Sequence, residues 1–205
     1  SIAIDQIFAA RVNGSDLSLT GAGDLVFEAP GDTLDLDLAS LHATTTGGVL
    51  SVSDADIATS GDQTWDADLV LTGDLSLLGA DVVFSGDVTG AGHDLHLLTS
   101  GHSAFRGDVG AETAPLAQLR VDFDSSSGDI ARLQFGDDSA TDQGVWADSI
   151  LFQAVTPDAS GAIPGPRNIA VASLFKRAGN LDFDATGDFT MGEGEKLAVA
   201  GNVSI

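Results

Sequence analysis

Residues 61–92 read GDQTWDADLVLTGDLSLLGADVVFSGDVTGAG, and they show most clearly the pattern that predicts the fold. Within it, apolar residues alternate with others over three short segments, through Leu69 and Leu71, Leu75 and Leu77, and Val82 and Phe84. Successive segments start only six or seven residues apart, with glycine and aspartate between them. Short alternation bounded by turn residues is typical of β-strands, and this spacing leaves no room for helices. The stretch therefore predicts a chain that coils in short straight strands.

The same spacing recurs towards both ends of the chain. Leu17 and Leu25 are eight residues apart, and so are Leu181 and Phe189. An imperfect repeat of short strands, with a rung of roughly 20–25 residues, indicates a β-solenoid in which each turn stacks on the last. We predict an all-β protein, a single elongated parallel β-helix (β-solenoid) over residues 1–205. A β-sandwich is the alternative, although its strands are longer, with turns about every 8–12 residues.

One segment interrupts this pattern. Residues 156–168, TPDASGAIPGPRN, contain three of the five prolines of the chain. Proline cannot donate a hydrogen bond within a central strand, so we predict the main loop excursion here. The chain also starts at Ser1 and ends on the strand-like NVSI, and we expect it to be a fragment of a longer repetitive chain or a processed product.

The composition is strongly acidic, with 31 acidic residues against 8 basic ones and a formal net charge of −23. Only four of the acids are glutamate, so aspartate dominates, and aspartate with 25 glycines favours turns over helices. This charge opposes binding to nucleic acid or to an anionic membrane, and no apolar run is long enough to insert into a bilayer. The absence of cysteine excludes disulfides and thiolate metal sites.

Several short segments resemble the large secreted bacterial exoproteins of the filamentous-haemagglutinin type, which are β-strand-repeat surface adhesins. One block begins with residues 57–65 and continues with the strands after them through 82–88 and 104–109 to 113–119, and a second block consists of 187–197 and 201–205. Together the two blocks span about two fifths of the chain. The resemblance implies a right-handed parallel β-helix within a long stalk, extracellular or on the outer cell surface of a bacterium, and it implies no catalytic residues. The aspartate content departs from typical members of that family.

Paired aspartates are the first candidate site. Side chains at i and i+2 of a strand share a face, so each pair projects two carboxylates roughly 7 Å apart. Ca²⁺ prefers oxygen ligands and would relieve their repulsion, which makes calcium a candidate cofactor. The alternative is a solvated acidic surface. A carboxylate-pair glycosidase would use the same groups, but no pair is singled out, so an enzyme is not predicted. The pairs are Asp35 and Asp37, Asp66 and Asp68, and Asp182 and Asp184.

Other polar and aromatic residues have two interpretations each. Trp65 and Trp146 are either core fillers or exposed platforms that stack on sugars. His93, His96 and His102 lie within ten residues and are either zinc ligands or ordinary exposed histidines. The dipeptide Gly-Asp occurs nine times, and we attribute it to turns in which glycine adopts positive φ and aspartate bonds to its own backbone.

The sequence thus predicts a non-enzymatic structural or adhesive segment of a secreted bacterial surface or matrix protein. Its partners would be further copies of itself, glycans, or a host or neighbouring cell surface. An uncapped terminal strand can pair with another chain, so Val203 and Ile205 are candidate assembly residues for filaments. One alternative is a carbohydrate-binding or carbohydrate-cleaving β-helix, and another is a calcium-stabilised surface-layer or matrix component.

Overall fold

The computed structural model describes residues 2–4, 14–29, 31–124, 132–135, 144–154, 168–171, 174–183, 188–191, 197–199 and 203–204. This part of the chain is all β, and its strands form a parallel β-solenoid, which confirms the predicted fold class over the β-sandwich. Residues 156–167 of the predicted loop excursion lie outside the described residues, and Asn168 begins a strand. Within the described ranges, no helix has the length and apolar character needed to cross a membrane.

The strands are short, and most have two to six residues. In chain order they are β1 (Ile2–Ile4), β2 (Asp16–Gly21), β3 (Leu25–Phe27), β4 (Leu34–Leu38), β5 (Ser40–Thr45), β6 (Leu50–Val52), β7 (Ala55–Thr59), β8 (Gln63–Asp66), β9 (Leu69–Leu71), β10 (Leu75–Gly79), β11 (Val82–Phe84), β12 (Val88–Thr89), β13 (Asp94–Thr99), β14 (His102–Phe105), β15 (Leu116–Phe123), β16 (Arg132–Phe135), β17 (Gly144–Ala154), β18 (Asn168–Val171), β19 (Leu174–Phe183), β20 (Asp188–Met191), β21 (Leu197–Val199) and β22 (Val203–Ser204).

Three sheets form the sides of the solenoid. Sheet I has five strands in the order β1-β3-β6-β9-β12. Sheet II has nine, β4-β7-β10-β13-β15-β17-β19-β21, with β22 also pairing with β19. Sheet III has eight, β2-β5-β8-β11-β14-β16-β18-β20. From β2 to β13 the chain visits sheets III, I and II in turn, so that each rung adds one parallel strand to each side. After β12 the described residues add no strand to sheet I, and its side continues through a parallel bridge between Val88 and Val109. Residues 14–124 make about five turns.

Strand register sets the length of a rung. Leu25 pairs with Leu50, 25 residues further on, and Leu69 pairs with Val88, 19 residues further on. The predicted rung length therefore holds approximately in this part of the chain. It is wrong further on, where Arg132 pairs with Asn168, 36 residues later, because longer segments separate the strands there. The eight-residue spacing that recurs near both ends is a different quantity. It is the distance from one side to the next, from sheet III to sheet I in the first case and from sheet II to sheet III in the second.

Alternation buries one face of each strand. In β4, Leu34, Leu36 and Leu38 are at most 1% exposed, whereas Asp35 and Asp37 between them face solvent. Because successive side chains of a strand point to opposite faces, a pattern of this kind directs every second residue into the interior. Full burial of one leucine contributes roughly 1.5–3 kcal/mol relative to exposure, so repeated columns of apolar side chains stabilise the stack.

A column of aromatic rings runs through the interior along the solenoid axis. Ring centroids of neighbouring members are 4.9 to 6.3 Å apart. Phe84 and Phe105 stack at 4.9 Å with an interplanar angle of 10°, since they occupy paired positions of neighbouring strands. Such contacts add roughly 0.5–1.5 kcal/mol each beyond the buried area. The members are Phe27, Trp65, Phe84, Phe105, Phe135 and Phe152.

Glycine at the corners between strands allows the backbones of neighbouring rungs to approach closely. Among the Gly-Asp glycines that the structure describes, only Gly31 has positive φ, so the predicted reason is wrong for the others. At Gly86, an added Cβ would lie 2.5 Å from the carbonyl carbon of Ala67 and 2.6 Å from the backbone nitrogen of Asp68, both in the preceding rung. At Gly107 it would lie 2.5 Å from Oδ1 of Asp87. Glycine is therefore required where one rung passes directly over the backbone of another.

We expect Gly86→Ala to lower the free energy of unfolding by about 1–3 kcal/mol, because its methyl group overlaps backbone that cannot move aside. Gly23→Ala is the matched control. It also precedes an aspartate, but a Cβ there meets nothing within 4 Å and its φ is not positive. The control should change stability by less than about 1 kcal/mol. Urea denaturation monitored by circular dichroism measures both, and equal losses would contradict the close-approach explanation.

Candidate functional site

Aspartates at the starts of strands stack in columns at the corners of the solenoid. At the corner before sheet I, Oδ1 of Asp68 accepts the backbone N–H of Asp87 at 3.0 Å. Oδ1 of Asp87 accepts the N–H of Asp108 at 2.8 Å, and Oδ1 of Asp108 accepts the N–H of Gly144 at 2.7 Å. Each carboxylate therefore binds the backbone of the next rung, and the predicted bond of a Gly-Asp aspartate to its own backbone is wrong for Asp87 and Asp108.

The other two corners repeat this arrangement. Before sheet II, Asp54 accepts from the N–H of Asp74 at 3.1 Å, and Asp74 accepts from the N–H of Asp94 at 3.0 Å. Before sheet III, Oδ1 of Asp81 accepts the N–H of His102 at 2.6 Å. These hydrogen bonds satisfy backbone N–H groups at the corners that have no partner in the ladders between strands. A large share of the acidic residues in this part of the chain is thus committed to holding rungs together.

An acidic groove of about 620 Å³ lies along the corner where the strands of sheet II begin. Backbone and side chains from three successive rungs and from the segment between β3 and β4 form its walls. His96 also borders it. No group of three or more histidine, aspartate or glutamate side chains in the described ranges is placed to hold one metal ion. The carboxylates that line the groove are Glu28, Asp32, Asp54, Asp56, Asp74 and Asp94.

Asp35 and Asp37 project from the outer face of β4, as the alternation predicts. In the next rung Asp35 pairs with Asp56, whereas Asp37 pairs with Ala58. The pair of carboxylates therefore does not repeat as a ladder, because the neighbouring strand supplies only one acid. Calcium binding at this pair stays a prediction.

The second predicted pair has no shared geometry, because β8 ends at Asp66 and Asp68 belongs to a corner column. Oδ1 of Asp66 accepts the hydroxyl of Ser85 at 2.5 Å, and its Oδ2 lies 3.9 Å from Nε2 of His42. The prediction that Asp66 and Asp68 project together from one strand is therefore wrong, because the strand ends before Asp68.

The remaining predicted residues fall near the end of the chain. Asp182 lies in β19 and pairs through its backbone with Leu151 and Ser204, while Asp184 lies outside the described residues. Val203 lies in β22 and pairs with Leu181, and Ile205 lies outside the described residues. Their calcium-binding and assembly roles stay predictions.

Both tryptophans are buried. Trp65 is 0% exposed and lies in the aromatic column between Phe27 and Phe84. Trp146 is 8% exposed, and its indole ring lies against Gly144, where an added Cβ would overlap the ring. With this burial, neither ring presents an open face to a sugar, which favours the core-filling interpretation.

The three neighbouring histidines point to different partners. Nδ1 of His93 is 3.8 Å from the carboxylate of Asp74, and His102 donates its backbone N–H to Asp81. His96 lies on the outer face of sheet II, where its Nε2 is 2.9 Å from Oδ2 of Asp122. Each histidine is thus beside a different aspartate, and the structure does not bring the three together as zinc ligands.

Among the residues that the structure describes, Asp122 is the charged side chain that is buried, and the sequence pattern did not predict its cluster. It is 3% exposed, and Arg120 holds both of its oxygens, with Nε 3.0 Å from Oδ1 and Nη2 2.6 Å from Oδ2. The hydrogen bond to Asp122 raises the pKa of the Arg120 guanidinium above its ordinary value. The spacing Arg-x-Asp on a strand signals a shared face, but the third member, His96, comes from the preceding rung and is 26 residues from Asp122.

We expect Asp122→Asn to lower the free energy of unfolding by about 1.5–3 kcal/mol at pH 7, because Arg120 and His96 lose a charged hydrogen-bond acceptor. Asp56→Asn is the control on the same outer face of the same sheet, and its exposed side chain should change stability by less than about 0.5 kcal/mol. Urea denaturation compares the two. Equal effects of both substitutions would contradict a stabilising role for the cluster.

No protein-family model, no curated protein and no solved structure matches this chain. The parallel solenoid is compatible with a β-helix repeat protein.

Proposed function

We propose that this chain is a non-enzymatic structural or adhesive segment of a secreted bacterial surface or matrix protein. The observation that carries the proposal is the uninterrupted interior of the solenoid. Buried apolar columns and one aromatic column continue from rung to rung, so that each rung completes its core only against its neighbours. A protein of this kind is quasi-one-dimensional and grows by adding rungs, which suits a stalk or filament.

The placement of the acidic residues supports the same proposal. The carboxylates of the corner aspartates accept hydrogen bonds from backbone N–H groups of the next rung. The acidic side chains on the outer faces keep the surface charged. A net charge of −23 favours solubility and opposes lateral aggregation of such rods.

We propose end-to-end association as the assembly mode of this segment. The last rung of a parallel solenoid offers unpaired backbone groups along its strands, and a second chain can continue the sheets there. The predicted assembly residues Val203 and Ile205 belong to the terminal stretch. Glycans and the surfaces of host or neighbouring cells are further proposed partners, through the outer faces of the rod.

We expect the solution mass of the 205-residue chain to rise with concentration, and elongated particles to lengthen with it. Sedimentation velocity from micromolar to millimolar chain, at constant ionic strength, measures the mass, and negative-stain electron microscopy measures particle length. A Val203→Pro variant, which removes a backbone donor from the last described strand, should shift association to higher concentration. A strict monomer over the whole range, with calcium present, would contradict end-to-end assembly.

A calcium-stabilised surface component is the second candidate, and the acidic groove is the observation that favours it. Six carboxylates border a single open groove, and although no three of them surround one point in the described structure, a divalent cation in the groove would weaken their mutual repulsion. A ligand that binds only the folded state stabilises it by mass action. Calcium would then act as a cofactor for rigidity rather than for chemistry.

We expect millimolar CaCl₂ to raise the melting temperature relative to a chelator-treated sample, with MgCl₂ at equal ionic strength giving a smaller rise. Two variants separate the possible positions. Asp56→Asn with Asp94→Asn removes charge from the groove, and Asp35→Asn with Asp37→Asn removes the predicted pair on β4. The variant that abolishes the calcium-specific shift identifies the position, and identical melting with calcium, magnesium and chelator would remove this candidate.

A further inference from the structure

Two buried polar atoms on strand β8 have no hydrogen-bond partner among the residues that the structure describes. They are the indole nitrogen Nε1 of Trp65 and the amide oxygen Oε1 of Gln63, and both side chains are 0% exposed. The two residues are at i and i+2 of one strand, so both side chains point into the interior from the same face. Buried polar groups without a partner are rare in folded proteins and call for a physical explanation.

The contacts of the amide nitrogen Nε2 determine the orientation of the Gln63 amide. Nε2 donates towards the carbonyl oxygen of Leu78 at 2.8 Å, and it lies 3.3 Å from both the carbonyl oxygen of Ile57 and Oγ1 of Thr59. Rotating the amide by half a turn would place its oxygen against two carbonyl oxygens. The amide nitrogen therefore stays where it is, and Oε1 remains directed away from these acceptors.

Small residues adjoin both groups. Across the sheet, Trp65 pairs on one side with Phe84 and on the other with Ala43, whose side chain is a single methyl group. Near the Gln63 amide, an added Cβ at Gly79 would be 2.9 Å from Oγ1 of Thr59 and 3.4 Å from Nε2 of Gln63, so a larger residue at this position would crowd the Thr59 hydroxyl.

We propose that the interior of the solenoid binds one ordered water molecule at β8, which accepts the indole N–H of Trp65 and donates to Oε1 of Gln63. One group is a donor only and the other is an acceptor, and a single water satisfies both at once. Buried waters typically serve polar groups that the protein itself leaves unpaired. The water is part of the core, and it explains why a glutamine and a tryptophan occupy positions that leucine, valine and phenylalanine hold in neighbouring rungs.

A crystal structure of the 205-residue chain at about 1.5 Å resolution or better tests the proposal directly. We expect an electron-density peak about 2.7–3.2 Å from both Nε1 of Trp65 and Oε1 of Gln63. A direct hydrogen bond between these two atoms, a water that reaches only one of them, or contacts to carbon alone would each overturn the proposal.

Oxygen-17 magnetic relaxation dispersion, which counts long-lived internal waters, provides the second test in solution. Trp65→Phe removes the donor and should lower the count by one, and Gln63→Met should do the same if Trp65→Phe does not fold. Phe105→Leu is the control, because it alters the same aromatic column without removing a polar atom, and it should leave the count unchanged. An unchanged count in a folded Trp65→Phe or Gln63→Met variant would overturn the proposal.

Discussion

Parallel strand pairing between rungs is the interaction on which this structure depends. Neighbouring strands in a sheet lie roughly 4.8 Å apart, and every rung must keep that separation on all three sides at once. Where the chain turns from one side to the next, the backbones of two rungs meet with no side chain between them. Gly86 and Gly107 occupy such positions, and an added Cβ would overlap the preceding rung at each. The corners, more than the strands, therefore restrict which residues the chain can use.

The same stacking decides what the aspartates do. A corner leaves one N–H group without a ladder partner, and a carboxylate one rung away is at the right distance to accept it. Aspartate has the short side chain that this geometry needs, which favours it over glutamate at these corners. Part of the acidity of the chain is therefore structural, and the groove beside sheet II lies where one of these columns meets the segment between β3 and β4.

Regular columns also determine where the exceptions are. The interior is apolar except at a few positions, among them Gln63, whose amide reaches backbone carbonyl groups across the corner. On the outside, the Asp122 cluster is the place where a carboxylate is buried and held by two basic side chains. Both exceptions join residues from different rungs. They stiffen the stack at particular points, as would suit the proposed stalk.

Alternation in the sequence was enough to predict the strands and the inward face of most of them, because burial on one face of a strand imposes a period of two residues. The short spacing between strands and its repetition then predicted the solenoid class, and the repeat of glycine and aspartate located the corners. Only tertiary packing fixes the register between rungs, since rungs of 19 to 36 residues do not align by counting along the chain. For that reason the corner bonds of aspartate, the end of β8 before Asp68 and the meeting of His96 with Asp122 could not be predicted. Each depends on which residue of the next rung lies above, and packing of the whole stack makes that choice.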